Sequence, residues 1–407
     1  MSILPSDNDF EKPFMNRFGM EMTRNSGTWI NLAKKYNISP FEIAQIDFNR
    51  SGIFLPNAEV REDFRVRFKG RLFNSAESWF ALPVRRAEDT LFRGENGKIF
   101  FGNGIIGQTE ELLLDTCESS YQRGPTLLNL NSRSRSNCGG CTACVHTYKN
   151  LYDGTVIKDN QPIVTQEDFE QFLSNKNIDV SKLDQIAVVT GLFGSEEKVI
   201  EHMKIINEVA QRKGFTGELM YFGCEVNSEK ALDQLAQISN FAIIYAIDNF
   251  TKRDRILAKV KSHITMDMAK QTLMNAKNRG INTSVAYISG IDSLEDMQNG
   301  FNYIKESLTR FPVINIYQIQ TRGQSGILDE KAKTLEYYVR SRVKLEEAFI
   351  DSDLRPRRWE NYRPLWYEYF ASEKMTGNSY GEKEKIASSI MLNHFRVKHL
   401  KMSKSRD

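Results

Sequence analysis

Three cysteines within seven residues carry the strongest chemical signal in this chain: Ser132-Arg-Ser-Arg-Ser-Asn-Cys138-Gly-Gly-Cys141-Thr-Ala-Cys144. A C-x2-C-x2-C spacing lets one tight turn direct three thiolates at a compact centre, and soft sulfur ligands select an iron–sulfur cluster or zinc. Bacterial ferredoxins use this spacing around one cluster, and a fourth cysteine three residues on serves a different cluster. Here that position is Tyr148, and no proline follows it. Three thiolates on a [4Fe–4S] cluster leave one iron open to an exogenous ligand, which implies catalysis rather than simple electron transfer. A structural zinc is the alternative, and it needs a fourth ligand. His146 is poorly spaced for that, and Cys117 or Cys224 would reach the turn only through the fold. Five cysteines in all, an odd number clustered in this way, are not a disulfide framework; they read as metal or redox chemistry in a reducing compartment.

The elements around the triad decide whether it sits where chemistry happens. From Thr126 onward short apolar runs alternate with amphipathic stretches. The runs are 126–131, 185–190, 217–222, 241–247, 283–288 and 313–318; the helical stretches are 196–213, 228–237, 265–279 and 293–309. Such alternation predicts right-handed βαβ units on a parallel sheet. Six units are short of an eight-stranded barrel, so the expected fold class is α/β, a partial (βα)6 TIM-like barrel. The triad follows the first run, and parallel α/β folds gather their ligands at the carboxyl ends of strands. The expected organisation is an N-terminal α+β domain over 1–122, the (βα)6 core over 123–328 and a C-terminal helical extension over 329–407. In the first segment, 27–36, 40–48 and 110–121 read as helices and 64–73, 78–84 and 98–101 as strands. A long helix is expected over 329–350, then an aromatic and Arg-rich stretch with Trp359, Tyr362, Trp366, Tyr367, Tyr369 and Phe370 that reads mainly as packing.

With these residues in place, the region from about Thr126 to Thr321 resembles the radical S-adenosylmethionine (AdoMet) enzymes. TLLNLNSRSRSNCGGCTAC looks like their cluster loop. Ala187 to Glu196 (AVVTGLFGSE) sits where the family has a glycine-rich strand end, and Ala286 to Glu295 (AYISGIDSLE), entered through Asn278 to Thr283, is similar to its fifth-strand motif. IIYAIDNFTKRDRILAKV followed by YISGIDSLED is most similar to the biotin synthase and thiamine tyrosine-lyase branch. The family spacing is C-x3-C-x2-C, whereas this chain has one residue fewer, and Ala143 stands where an aromatic is usual. An alternative register would place Ser134 at the first position; all three cysteines are preferred as ligands because serine is a rare ligand to iron. The resemblance implies a [4Fe–4S] cluster on Cys138, Cys141 and Cys144. It also implies AdoMet at Gly191, Gly194 and Ser195, with Asp248 near the ribose and Arg255 near the AdoMet carboxylate. The implied reaction is reductive cleavage of AdoMet to a 5′-deoxyadenosyl radical that takes a hydrogen atom from a small biosynthetic molecule, supplied with electrons by a flavodoxin or ferredoxin.

Bland readings stand beside several of these. Ser195 reads equally as a helix cap, with Glu196 and Glu197 in the favourable first turn. Arg255 reads as a solvated helix face, Cys117 as a helix core residue, and Cys224 as a buried apolar thiol or, if it faces the barrel, a hydrogen-atom donor. With 40% hydrophobic and 26% charged residues the chain reads as soluble and globular. A net charge of +3 gives no footprint for nucleic acid or an anionic membrane, no apolar run is long enough to span a bilayer, and the N-terminus lacks a signal peptide. The expected location is the cytoplasm.

Overall fold

The computed structural model describes residues 14–56, 64–73, 77–115, 120–132, 141–144, 162–357, 363–366 and 370–371. Cys117, Ser134, Cys138 and most of the C-terminal aromatic stretch lie outside them. The chain divides into two compact units, one of Met1–Leu113, Ile316–Glu346 and Pro364–Asp407, the other of Leu114–Asn315 and Glu347–Arg363. The division differs from the three segments expected from the sequence. Residues 316–346, assigned to the end of the core and to a C-terminal extension, pack with the N-terminal unit, where Arg342 bonds both Glu42 and Glu346 at 2.8 Å with its side chain fully buried.

The first unit opens with α1 (Ser26–Tyr36) and α2 (Pro40–Ser51), capped by Asn25 and Ser39. Six strands follow: β1 (Ile53–Phe54), β2 (Arg65–Leu72), β3 (Ser78–Arg85), β4 (Phe92–Glu95), β5 (Lys98–Phe101) and β6 (Gly104–Leu114). They close into a barrel in the order β1-β3-β2-β6-β5-β4, with β1 parallel to both of its neighbours. Trp29, Phe48, Phe92 and Phe101 pack together with ring centroids 4.4–6.2 Å apart. Of the residues 110–121 expected as a helix, 110–114 are the end of β6 and Tyr121 begins β7 (Tyr121–Gln122). The register of β6 against β5 (Ile99↔Gly107, Lys98↔Gln108) and its closeness to β2 override the helical leaning of its Glu and Leu residues. A Cβ on Gly107 would lie 2.3 Å from the Arg71 carbonyl oxygen, and one on Gly70 2.3 Å from that of Gln108, so glycine is required where these strands meet.

The second unit holds a seven-stranded open sheet. In chain order it contains β7 (Tyr121–Gln122), β8 (Leu127–Leu130), α3 (Gln166–Asn175), β9 (Gln185–Val188), α4 (Glu196–Arg212), β10 (Glu218–Gly223) and α5 (Glu229–Leu235). It continues with β11 (Phe241–Asp248), the short α6 (Arg253–Ile256) and α7 (Lys259–Ser262), then α8 (Met266–Asn278), β12 (Asn282–Ser289), α9 (Leu294–Ile304) and β13 (Val313–Ile316). The sheet order is β13-β12-β11-β10-β9-β8-β7. Strands β8 to β12 pair in parallel, and β7 pairs antiparallel with β8. The α/β class read from the alternating runs is therefore present, with every expected run forming a strand. One side of the sheet carries a cluster of Ala187, Met220, Ala242, Ile244, Ala286 and Val313, with Val189 and Phe222 against it. A last helix, α10 (Leu335–Phe349), falls within the one expected over 329–350. Among the described residues no helix is long and apolar enough to cross a membrane.

Candidate functional site

Of the expected residues, Gly191, Gly194 and Ser195 lie between β9 and α4, Asp248 is the last residue of β11, and Arg255 lies in α6 beyond it. After β8 the described chain resumes at Cys141–Cys144, a tight turn in which the Cys144 amide donates to the Cys141 carbonyl at 3.0 Å. Both thiols are half-buried. The turn is held from outside: the Thr142 amide donates to the Ile256 carbonyl at 2.8 Å, and the Ala258 amide donates to Cys141 Sγ at 3.2 Å. Burial pushes the Cys141 thiol pKa up, while the Lys261 ammonium and the Ala258 N–H oppose that rise. Among the described residues no three His, Cys, Asp or Glu side chains stand together as a metal site; Cys138, the third thiol of the triad, lies outside them.

Past β9 the glycine turn meets a carboxylate that sequence reading did not single out. Glu225, which follows Cys224 at the end of β10, accepts the Phe193 and Gly194 amides, both at 2.7 Å. Gly194 adopts φ +96°, a conformation that side chains resist. The exchange is reciprocal: Glu196, at the start of α4, accepts the Asn227 and Ser228 amides beyond β10. Two neighbouring strand-end loops are thus fastened by one carboxylate each way, and charge-assisted bonds of this kind are the stronger sort. Ser195 caps α4, its Oγ accepting from the Lys198 amide at 3.4 Å. Cys224 is 2% exposed, and burial raises its pKa to about 11, so it is a thiol at neutral pH.

β11 ends in a shift of register between Ala246 and Asp248 and leaves Asp248 at φ +62°. Aspartate tolerates this left-handed geometry better than most residues, and such irregularities re-aim a side chain. Asp248 Oδ2 pairs with Lys261 Nζ at 2.5 Å. The segment between them is pinned at several points. The Arg253 guanidinium donates to the carbonyls of Ile247, Ile264 and Lys261. Asp292, past β12, accepts the Phe250 and Thr251 amides at 2.7 and 3.1 Å, as well as the Thr251 and Tyr287 hydroxyls. Arg255 is exposed on α6; the buried guanidinium of this segment is that of Arg253. The structure therefore sets the Gly191–Ser195 turn beyond β9 and Asp248 at the end of β11, brings Cys141 against the segment that follows Asp248, and leaves Arg255 exposed on α6.

No protein-family model matches the chain, and no curated protein matches it in sequence. Solved structures do resemble it. SuiB of Streptococcus suis, bound to S-adenosylmethionine, is 11% identical over 50% of this chain and 43% of its own, at a TM-score of 0.36. Coproporphyrinogen III oxidase (HemN) of Escherichia coli, a radical SAM enzyme, is 14% identical over 56% of this chain and 53% of its own, at 0.35. TsrM of Kitasatospora setae, a radical S-adenosylmethionine methyltransferase with cobalamin and a [4Fe–4S] cluster bound, is 13% identical over 51% and 38%, at 0.31. The chain spans about half or less of the length of each.

Glu225 and Lys261 are the residues of this region that sequence reading missed. Glu225 gave one usable signal, its place directly after a strand run and a cysteine. Lys261 gave none, because it is one lysine in a basic stretch and its partner lies thirteen residues back across two short helices.

Proposed function

We propose that this chain is a radical AdoMet enzyme whose second unit is a partial (βα)6 barrel. In this reading Cys138, Cys141 and Cys144 hold one [4Fe–4S] cluster, and AdoMet lies beside it along the turn Gly191 to Ser195 and Asp248. What supports it is the glycine turn and Asp248 at the carboxyl ends of the parallel strands β9 and β11, where α/β folds gather ligands, with Cys141 bonded to the segment just beyond Asp248. The residues present fit the cofactors: two soft thiols on one turn, one accepting an N–H bond at sulfur, and a carboxylate with one oxygen already fixed by Lys261. When bound, the cluster and AdoMet supply a 5′-deoxyadenosyl radical able to take a hydrogen atom from a substrate. The chain's own part is to orient and to exclude water. Asp248 accepts hydroxyl donors of the ribose, Glu225 holds the Phe193 and Gly194 amides in place, and small Ala187, Ala242 and Ala286 leave room on an apolar face. The substrate is a small biosynthetic molecule, the electron donor a flavodoxin or ferredoxin, and the location cytoplasmic.

Anaerobic reconstitution with iron and sulfide, then reduction, tests this. Close to four irons per chain, an EPR signal that AdoMet perturbs, and formation of 5′-deoxyadenosine are expected. Asp248→Ala should keep its iron but bind AdoMet roughly 5- to 150-fold more weakly, about 1–3 kcal/mol for one lost hydrogen bond. Stoichiometric zinc without an EPR signal would refute the reading, as would an intact cluster indifferent to millimolar AdoMet.

A further inference from the structure

One short arm of the chain closes on Cys141. The arm runs from Asn249 to Ile264, between β11 and α8. Its Ile256 carbonyl receives the Thr142 amide at 2.8 Å, and its Ala258 amide donates to the Cys141 sulfur at 3.2 Å. Lys261, whose amide bonds the Ala258 carbonyl at 2.8 Å, sends its side chain back to Asp248. That ammonium is only 15% exposed. Lys261 stands three residues beyond the Ala258 amide that reaches the Cys141 sulfur. The arm cannot swing away freely, since Arg253 ties it to β11 and Asp292 holds its first residues.

Holding iron requires only a thiolate in the right place. An N–H aimed at that sulfur and a shielded cation beside it do something more: both lower the energy of added negative charge at the centre the sulfur ligates. Cluster potentials follow net charge, hydrogen bonds to sulfur and solvent exposure, and a shielded charge is screened far less than one in water. We infer that the Ala258–Lys261 arm sets the reduction potential of a cluster held by Cys141, making its one-electron reduction easier, with Asp248 as the counterweight. The inference rests on the function proposed above. The step it concerns adds one electron from a low-potential one-electron donor; no bond is made or broken and no proton moves.

A merely structural role for the pair predicts something different. If Lys261 and Asp248 only brace the arm, removing either loosens the same contact and the two variants behave alike. If they act by charge, the variants move the potential in opposite directions. The test uses the full chain, reconstituted anaerobically without AdoMet, titrated with dithionite in the presence of redox dyes and followed by EPR, with iron per chain measured for every variant. Lys261→Met is expected to lower the ratio of reduced to oxidised cluster at a fixed potential by about tenfold or more, tenfold being 59 mV for one electron. Lys261→Arg should stay near wild type, and Asp248→Asn should raise the ratio. Should Lys261→Met lose its iron, Asp248→Asn decides alone: a rise supports the inference and an unchanged ratio overturns it. Coincident potentials for Lys261→Met and wild type, or shifts of the same sign in both charge variants, overturn it too. A wild-type chain that takes up no iron overturns the proposed function and this inference together, whereas a wild-type cluster indifferent to Lys261 overturns the inference alone.

Discussion

Replacing Glu225 by Gln tests whether the glycine turn is held from the neighbouring strand. The carboxylate accepts two backbone N–H groups at 2.7 Å, from Phe193 and Gly194. A Gln side chain keeps one carbonyl acceptor and turns an NH2 donor toward the second amide, which is itself a donor. One charge-assisted bond is lost and the other becomes neutral, and hydrogen bonds to charged groups contribute about 1.5–3 kcal/mol. The turn should then open locally about 10- to 150-fold more often. Hydrogen exchange followed by mass spectrometry on peptides covering 189–197 reads this directly, with peptides in β11 as internal reference. Glu170→Gln is the control: it breaks an exposed pair with Arg212 at 2.8 Å, and such pairs contribute little. Unchanged exchange across 189–197 in Glu225→Gln would show that the turn is held by its own φ/ψ preferences and not by Glu225. A uniform rise throughout the unit would show global destabilisation instead.

Cys138→Ala, Cys141→Ala and Cys144→Ala should each abolish cluster retention while Ser134→Ala keeps it; loss of iron in Ser134→Ala with retention in Cys144→Ala would mean the register is Ser134, Cys138 and Cys141. Cys224, buried and with its pKa raised to about 11, has only about one thiolate per thousand molecules at pH 8, so peptide mapping should find it unalkylated by iodoacetamide in the native chain and alkylated in urea. Arg342→Met should cost about 3–5 kcal/mol in urea denaturation, because it leaves the Glu42 and Glu346 carboxylates buried without their partner; a loss below 1 kcal/mol would show that these carboxylates find other compensation.

Much of the second unit was legible because its signals are local. Runs such as 241–247 and 283–288 are continuous apolar stretches closed by polar turns, as strands buried on both faces must be. Ser195, Ser228, Thr265 and Ser293 cap the helices read after those runs, because a hydroxyl beside the first free amides acts over a few residues. The N-terminal unit was harder. Residues 110–114 read as the start of a helix over 110–121, and only their place in β6, between β5 and β2, makes them strand. The two-residue β1, which closes the barrel between β3 and β4, has no pattern long enough to read.

The sequence alone determined the chemistry available: three thiols at a spacing that suits one cluster, placed after the first of six runs that had to become strands. It determined this because cysteine spacing, hydrophobic period and capping are properties of neighbouring residues. Tertiary structure alone decided which distant groups meet that chemistry. Glu225 reaches the Phe193 and Gly194 amides 32 and 31 residues back, and Lys261 comes to lie against Asp248 because two short helices turn the chain back. Arg255, by sequence as good a cation as any in that stretch, is left in solvent while Arg253 is buried and Lys261 half-buried. The shielding that makes a buried charge effective comes from packing by distant parts of the chain, and no local pattern of residues encodes it.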